Sequence, residues 1–291
     1  MSMPMTPPAD RQVVGLLLNY RDAARSMCCI ESLLDQSVQH VVVWDNSADG
    51  GISAAAIRAA VADDRRIELL VSPSNLGFAA AVNRGLEHCA ASYPGAWVLL
   101  INNDARLLHG ALPKLLGALA THPPARLACS NIDHAGQVLG LSYCHRWTGL
   151  LSAQPRPGYF AYASGCCLLL ATDRLASPLF DEDFFMYGED CELGWRLSQQ
   201  PGAIVHIDET LVEHDGSASS GLGTPFYETH MVAAHLILAR KLARNRWDAC
   251  LLHVLRASML LARALVRTIR FRSLTPCKAL WHGSRIAWDR R

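Results

Sequence analysis

Three short clusters hold the residue types that chemistry needs. The first, Asn102-Asn103-Asp104, closes an apolar run. Its carboxylate is the hard oxygen ligand that Mg²⁺ or Mn²⁺ prefers, and a cation there could bridge a diphosphate. Asn and Asp also suit an ordinary strand-end turn. The second runs Asp181-Glu182-Asp183-Phe184-Phe185-Met186-Tyr187-Gly188-Glu189-Asp190. Carboxylates set among aromatics can have shifted pKa values and do acid–base work, such as taking the proton of an attacking hydroxyl. Glu189 and Asp190 would equally favour a helix N-terminus, and that helix would fix the carboxylate in place. The third is Val212-Glu213-His214-Asp215-Gly216, where His214 is either a metal or phosphate contact or a structural histidine.

These clusters need elements to position them. Residues 13–18, 41–44 and 97–101 are continuous apolar runs, read as strands covered on both faces, and 67–71 is a further short strand. Residues 23–35 and 83–90 read as helices. The alternation is that of βαβ units, which predicts a doubly wound sheet. Ligands of such sheets bind beyond the carboxyl ends of the strands, and Asp45 and Asp104 stand at two of those ends. No Gly-x-Gly-x-x-Gly or Walker loop follows the first strand, so a dinucleotide fingerprint is unsupported. Residues 134–162 read as loops and short strands shaping a pocket. From Phe226 the pattern is helical.

The ten cysteines form no Cys-x-x-Cys and sit mostly in apolar runs, which fits a reducing cytoplasm better than zinc binding or secretion. The Pro-rich opening, 1–11, lacks the pattern of a signal peptide and is expected to be a disordered leader. Residues 1–239 carry 14 Lys and Arg against 24 Asp and Glu, whereas 240–291 carry 13 against 2. A basic tail on an acidic body points to a polyanionic partner.

The motifs occur in an informative order. Asn19-Tyr20-Arg21 and Asp45-Asn46-Ser47 come first, then Asn75-Leu76-Gly77-Phe78-Ala79, with Asn83, and Asn102-Asn103-Asp104. Ser164-Gly165, Phe184-Phe185-Met186-Tyr187-Gly188-Glu189-Asp190 and His214 complete the set. Over about residues 12–220 this resembles the family-two glycosyltransferases of the GT-A fold. Within them it looks most like the rhamnosyltransferase-like branch of bacterial surface-polysaccharide synthesis.

The resemblance implies an α/β chain: a GT-A-type doubly wound mixed sheet at 12–225 with a helical, basic C-terminal region at 226–291. It implies an inverting, metal-dependent transfer of a sugar, rhamnose favoured, from a nucleotide diphosphate to a hydroxyl of a glycan or polyprenyl-linked acceptor. The favoured donor is dTDP-rhamnose. Asp45 would bind the base, while Asn19, Asn75, Gly77, Asn83 and Asn103 would line the nucleotide sugar. Asp104 and His214 would hold Mg²⁺ or Mn²⁺. Asn102 stands where the fuller Asp-x-Asp motif has a second carboxylate, which implies modest metal affinity. Asp190 would be the general base with Glu189 beside it, and Gly165, Tyr187 and Trp195 would contact the acceptor.

In the tail, residues 247–272 lack Pro and Gly, and His253, Arg256, Arg263, Arg267 and Arg270 fall within a sector of about 100° on a helix. Interspersed arginines argue against a spanning helix. A helix lying on the inner face of the cell membrane, with its arginines at anionic lipid phosphates, is expected. The alternative is a helix packed on the catalytic domain or on a second copy in a homo-oligomer. Nucleic acid is not an expected partner, because its phosphates need no wide apolar face. Two other functions compete. A nucleotidyltransferase would carry a Gly-rich basic loop where Asn19-Tyr20-Arg21-Asp22 stands, and a non-catalytic nucleotide-sugar or membrane-binding module would not need both Asp104 and Asp190.

Overall fold

The computed structural model describes residues 11–62, 64–216, 221 and 223–290, so the leader expected at 1–11 lies, but for Arg11, outside the described residues. In chain order the first elements are β1 (Val13–Asn19), α1 (Ala23–Asp35), β2 (His40–Asp45), α2 (Ile52–Val61), β3 (Ile67–Val71), α3 (Phe78–Ser92) and β4 (Trp97–Asn102). There follow β5 (Ala105–Leu107), α4 (Ala111–Thr121), β6 (Leu127–His134), β7 (Gln137–Leu139), β8 (Ser142–His145), β9 (Leu151–Ser152), β10 (Tyr159–Tyr162) and β11 (Cys167–Leu170). The chain continues through α5 (Glu189–Ser198), β12 (Ile204–His214), α6 (Pro225–Lys241), α7 (Arg246–Phe271) and α8 (Thr275–Asp289). The described residues form two compact units. One takes the chain up to Leu141 with Ala163–Leu179 and Gln199–Gly216; the other takes Ser142–Tyr162, Phe180–Ser198 and the C-terminal helices.

The first unit is a mixed sheet in the order β3-β2-β1-β4-β11-β6-β12-β5, with β7 paired to β6. Strands β1 to β4 run parallel, whereas β11 is antiparallel to β4 and β5 is antiparallel to β12. The doubly wound α/β expectation holds, and the runs read as buried strands are buried. Alternate residues of β1 serve opposite faces. Val13 and Leu17 join one core with Ile30 and Leu33 of α1. On the other face α3 packs so close that a Cβ on Gly85 would lie 2.6 Å from the Leu16 side chain. A strand covered twice has no room for alternation, which is why its sequence reads as one apolar run.

Register then decides what gathers at the edge. Asn19 pairs with Asp45 and Asp45 with Val71, while Leu18 pairs with Asn102. The carboxyl ends of β1, β2, β3 and β4 are therefore level, so the polar residues ending these strands share one edge. The last strand, β12, arrives from far along the chain. It is flanked by β6 and β5, and His214 pairs with His134 on one side and Ala105 on the other. This pairing carries His214 to the residue next to Asp104.

In the second unit, β8, β9 and β10 form a three-stranded antiparallel sheet. Helix α5 lies on β10 with no clearance, because a Cβ on Gly194 would fall 2.1 Å from that of Tyr162. Phe160, Phe184, Cys191, Leu238 and Leu252 share a core with the C-terminal helices.

The arginine stripe of α7 contradicts the expectation placed on it. Arg256 is 0% exposed, and Arg263 and Arg267 both pair with the buried Glu228 of α6. Of the four arginines only Arg270 is exposed. The outward stripe is apolar instead: Trp247, Leu251, Val254, Leu261, Leu265 and Ile269 recur at helical spacing, reaching 87% exposure at Trp247 and 78% at Ile269. Spacing showed that the charges share a face. The acid waiting on α6 turned that face inward.

Candidate functional site

In the first unit the strand ends are organised by one carboxylate. Asp45 is buried, and its Oδ1 accepts from Asn19 Nδ2 at 2.8 Å, from the Ser47 amide at 3.2 Å and from the Ser47 hydroxyl. Asn19 is fixed in turn by the Ser26 hydroxyl, which donates to its Oδ1 at 2.7 Å. The same hydroxyl accepts from Asn103 Nδ2 at 3.1 Å. Asn19, Asp45 and Asn103 thus form one network, with Ser26 on the first turns of α1, a helix capped by Asp22.

The loop entering α3 is held by a second amide. Asn46 donates to Asn75 Oδ1 at 2.9 Å and to the Gly77 carbonyl at 3.2 Å, and accepts from the Leu76 amide at 3.0 Å. Gly77 has φ +80° at the start of α3, a conformation that favours glycine. Asn83 is buried on α3, and Gly165 is buried just ahead of β11.

Asp104 and His214 are brought within hydrogen-bond reach, with Asp104 Oδ1 3.0 Å from His214 Nε2. The Asp215 amide donates to the Asp104 carbonyl at 3.0 Å and locks the pair. On its other side His214 Nδ1 lies 2.9 Å from His134 Nδ1. If His214 uses Nε2 toward a ligand, its proton sits on Nδ1 and His134 accepts it. The donor set suits Mg²⁺ or Mn²⁺. Two ligands at right angles, each about 2.1 Å from an octahedral ion, are about 3.0 Å apart. No group of three or more His, Cys, Asp or Glu among the described residues could hold a metal. An ion here would take its remaining oxygens from diphosphate and water.

In the second unit, Tyr187 and Gly188 both have positive φ, +66° and +93°, and this turn delivers Glu189 and Asp190 to the first turn of α5. Gly188 has no alternative, since a Cβ there would press on Phe184 at 2.9 Å. Asp190 Oδ1 accepts from the Cys191 amide at 2.7 Å. Glu189 is buried, and its pKa is pushed up to about 8 by burial and then by the charge of Asp190. At neutral pH it is a protonated acid. A cavity of about 200 Å³ opens here, lined by Tyr162, Tyr187, Glu189, Asp190, His235 and Arg256 among others. Trp195 is not part of it. Its ring packs edge-on against Phe160 and lines a separate hollow with Arg146 and Arg244. Asp181 and Asp183, from the same acidic run, are tied to Lys241 and Arg240 at the end of α6.

Sequence reasoning passed over Ser26, Asn46 and Ser47, although the last two stand beside Asp45 in a quoted motif. It also passed over His134 and the inward role of Arg256, for which no local signal exists.

Residues 28–168 match the family model described as glycosyl transferase family 2. A relative from Mycobacterium tuberculosis, N-acetylglucosaminyl-diphospho-decaprenol L-rhamnosyltransferase, is 29% identical over 268 residues, 78% of this chain and 86% of that one. Among solved structures, GalNAc-T7 with UDP, GalNAc and Mn²⁺ aligns with a TM-score of 0.61 at 10% identity, covering 78% of this chain and 48% of that one. The mannosyltransferase PcManGT from Pyrobaculum calidifontis, in complex with GDP-Man and Mn²⁺, aligns with a TM-score of 0.58 at 17% identity, covering 99% of this chain and 84% of that one. The fold is GT-A.

Proposed function

We propose that this chain, whose residues 28–168 match the family model described as glycosyl transferase family 2, is a glycosyltransferase that moves a sugar with inversion from a nucleotide diphosphate to an acceptor hydroxyl. The observation that carries this is the Asp104–His214 pair, 3.0 Å apart, in the sheet whose level strand ends hold the Asn19–Asp45–Asn103 network. Asp45 reads the base, and Asn75, Gly77 and Asn83 line the nucleotide and its phosphates. Asp104 and His214 hold a divalent cation, which when bound supplies positive charge for the departing diphosphate. Asp190 takes the proton of the acceptor hydroxyl, which attacks the anomeric carbon from the face opposite the leaving group. One displacement inverts the configuration and needs no protein nucleophile.

Rhamnose from dTDP-rhamnose is the favoured donor, and a glycan or polyprenyl-linked acceptor the favoured partner, by analogy with the mycobacterial relative. A panel of nucleotide sugars, read by release of nucleoside diphosphate, tests this. Turnover should require a divalent cation and should be lost in Asp104→Ala. Full activity in excess chelator, or in that variant, would sink the reading.

We place residues 12–225 as the catalytic domain, and 226–291 at the cytoplasmic face of the membrane through the apolar face of α7 rather than through Arg256, Arg263 and Arg267. Helix α7 is long and apolar enough to cross a membrane by length and composition. Its inward side is committed to ion pairs with α6, which suits a helix lying in the interface. The exposed Trp247, Trp281 and Trp288 suit the headgroup level, and Arg270, Arg272, Lys278 and Arg285 are exposed to meet anionic lipid. Changing Leu261, Leu265 and Ile269 to Ser should lower binding to anionic liposomes at least about tenfold, since each buried aliphatic side chain is worth about 1.5–3 kcal/mol. Unchanged binding, with a dimer that dissociates in the variant, would assign the face to a second copy.

A further inference from the structure

We propose that the cavity beside Asp190 is a subsite for an anionic group carried by the acceptor, a phosphate ester or a carboxylate, and that Arg256 binds it. The inference rests on the glycosyltransferase reading and adds the charge of the acceptor.

Arg256 reaches this cavity from α7 with no carboxylate partner among the described residues. Its neighbours Arg146, Arg263 and Arg267 each pair with a carboxylate, Asp248 or Glu228. Arg256 instead donates from Nη2 to the Arg146 carbonyl at 2.9 Å, and its Nη1 lies 3.4 Å from His235 Nδ1. Its Nε is buried with no partner among the described residues. His235 supplies no counter-charge. Burial, then Arg256, then Arg263 push its pKa down to about 3, so it is neutral. A fully buried guanidinium that faces a backbone carbonyl, a neutral imidazole and the Cys144 thiol, with no carboxylate against it, is costly, and an arriving anion relieves that cost.

The surroundings favour the same ligand. Gly149, at φ +72°, lines the cavity beside the guanidinium, and a Cβ there would lie 3.0 Å from Arg256 Nη1. The bare backbone keeps that approach open. Glu189, protonated at neutral pH, offers a donor rather than a repelling charge. Asp190 lines the same cavity, so an acceptor could present its hydroxyl to Asp190 and its anionic group to Arg256. The other candidate counter-charge is the Cys144 thiol, drawn below its ordinary value first by its hydrogen bond with Cys191. A thiolate there would repel an anionic acceptor, so the two readings predict opposite preferences.

The test compares three acceptors built on one sugar: a neutral alkyl glycoside, its anomeric phosphate ester and its uronic acid. Wild-type protein should favour one of the charged forms about 10- to 100-fold in kcat/KM, the worth of a charge-assisted hydrogen bond. Which form wins identifies the anion. In Arg256→Gln that ratio should fall to near one, and Arg256→Lys should keep part of it. Should the Gln variant fail to fold, methyl phosphate added to wild-type protein should compete with the acceptor and not with the donor. Equal use of all three acceptors overturns the proposal, as does an equal fall on all three in a folded Arg256→Gln. Absence of transfer from every donor would sink the glycosyltransferase reading instead. Ligand-observed NMR of charged against neutral acceptor would then still decide the anion site, and equal binding would overturn it.

Discussion

Asp190→Asn should lower transfer by at least the roughly 10²-fold typical of losing a general base, while leaving donor binding intact. The amide keeps the oxygen that accepts from the Cys191 amide at 2.7 Å, so the first turn of α5 should hold its shape. What is lost is the capacity to take a proton. The adjacent residue provides an internal control. Glu189, with its pKa pushed up to about 8, is already protonated at neutral pH, so Glu189→Gln replaces an acid by its near-isostere and should cost far less. Transfer rates and donor affinity for both variants decide the assignment. If Asp190→Asn transfers at the parent rate, or if Glu189→Gln is the crippled one, Asp190 is not the base.

Glu228→Gln should destabilise the protein by about 3 to 5 kcal/mol, the cost of removing one partner from a buried ionic cluster. Glu228 is 0% exposed and accepts from Arg263 Nη1 at 2.7 Å and from Arg267 Nε at 2.8 Å. The amide preserves volume but leaves two guanidinium groups without a counter-charge. At roughly 2–4 °C per kcal/mol for a chain of this size, the melting temperature should fall by on the order of 10 °C. Replacing all three residues with apolar ones of similar volume should recover much of the loss, because the desolvation cost of the ions disappears with them. A melting temperature unmoved by Glu228→Gln would show that the cluster contributes nothing.

How far the sequence could be read depended on whether the relevant partner was local. The parallel strands were legible because burial on both faces leaves continuous apolar runs, and α1 was legible to its ends because its boundaries are local. Asp45 and Asp104 were legible as strand-end acids. The approach of His214 to Asp104 was not, since it depends on β12 pairing with β5 across more than a hundred residues. His134 joins them for the same reason. The arginines of α7 show the limit most directly. Periodicity put them on one face, but only Glu228, on a different helix, determines that this face is inside.

The core around α5 also sets an order of events at the ribosome. Phe160, Phe184 and Cys191 are covered by Ala234, Leu238, Leu252 and Ala287. Synthesis runs at about 5–20 residues per second, so roughly 5 to 20 seconds pass between the emergence of α5 and that of Ala287. Until the C-terminal helices follow, the apolar side of the segment bearing Asp190 can pack on β10 but lacks the cover that Ala234, Leu238, Leu252 and Ala287 supply. A nascent chain stalled partway along α7, with α5 outside and α6 still inside the exit tunnel, should therefore recruit chaperones through this segment, and release should follow as the later helices emerge.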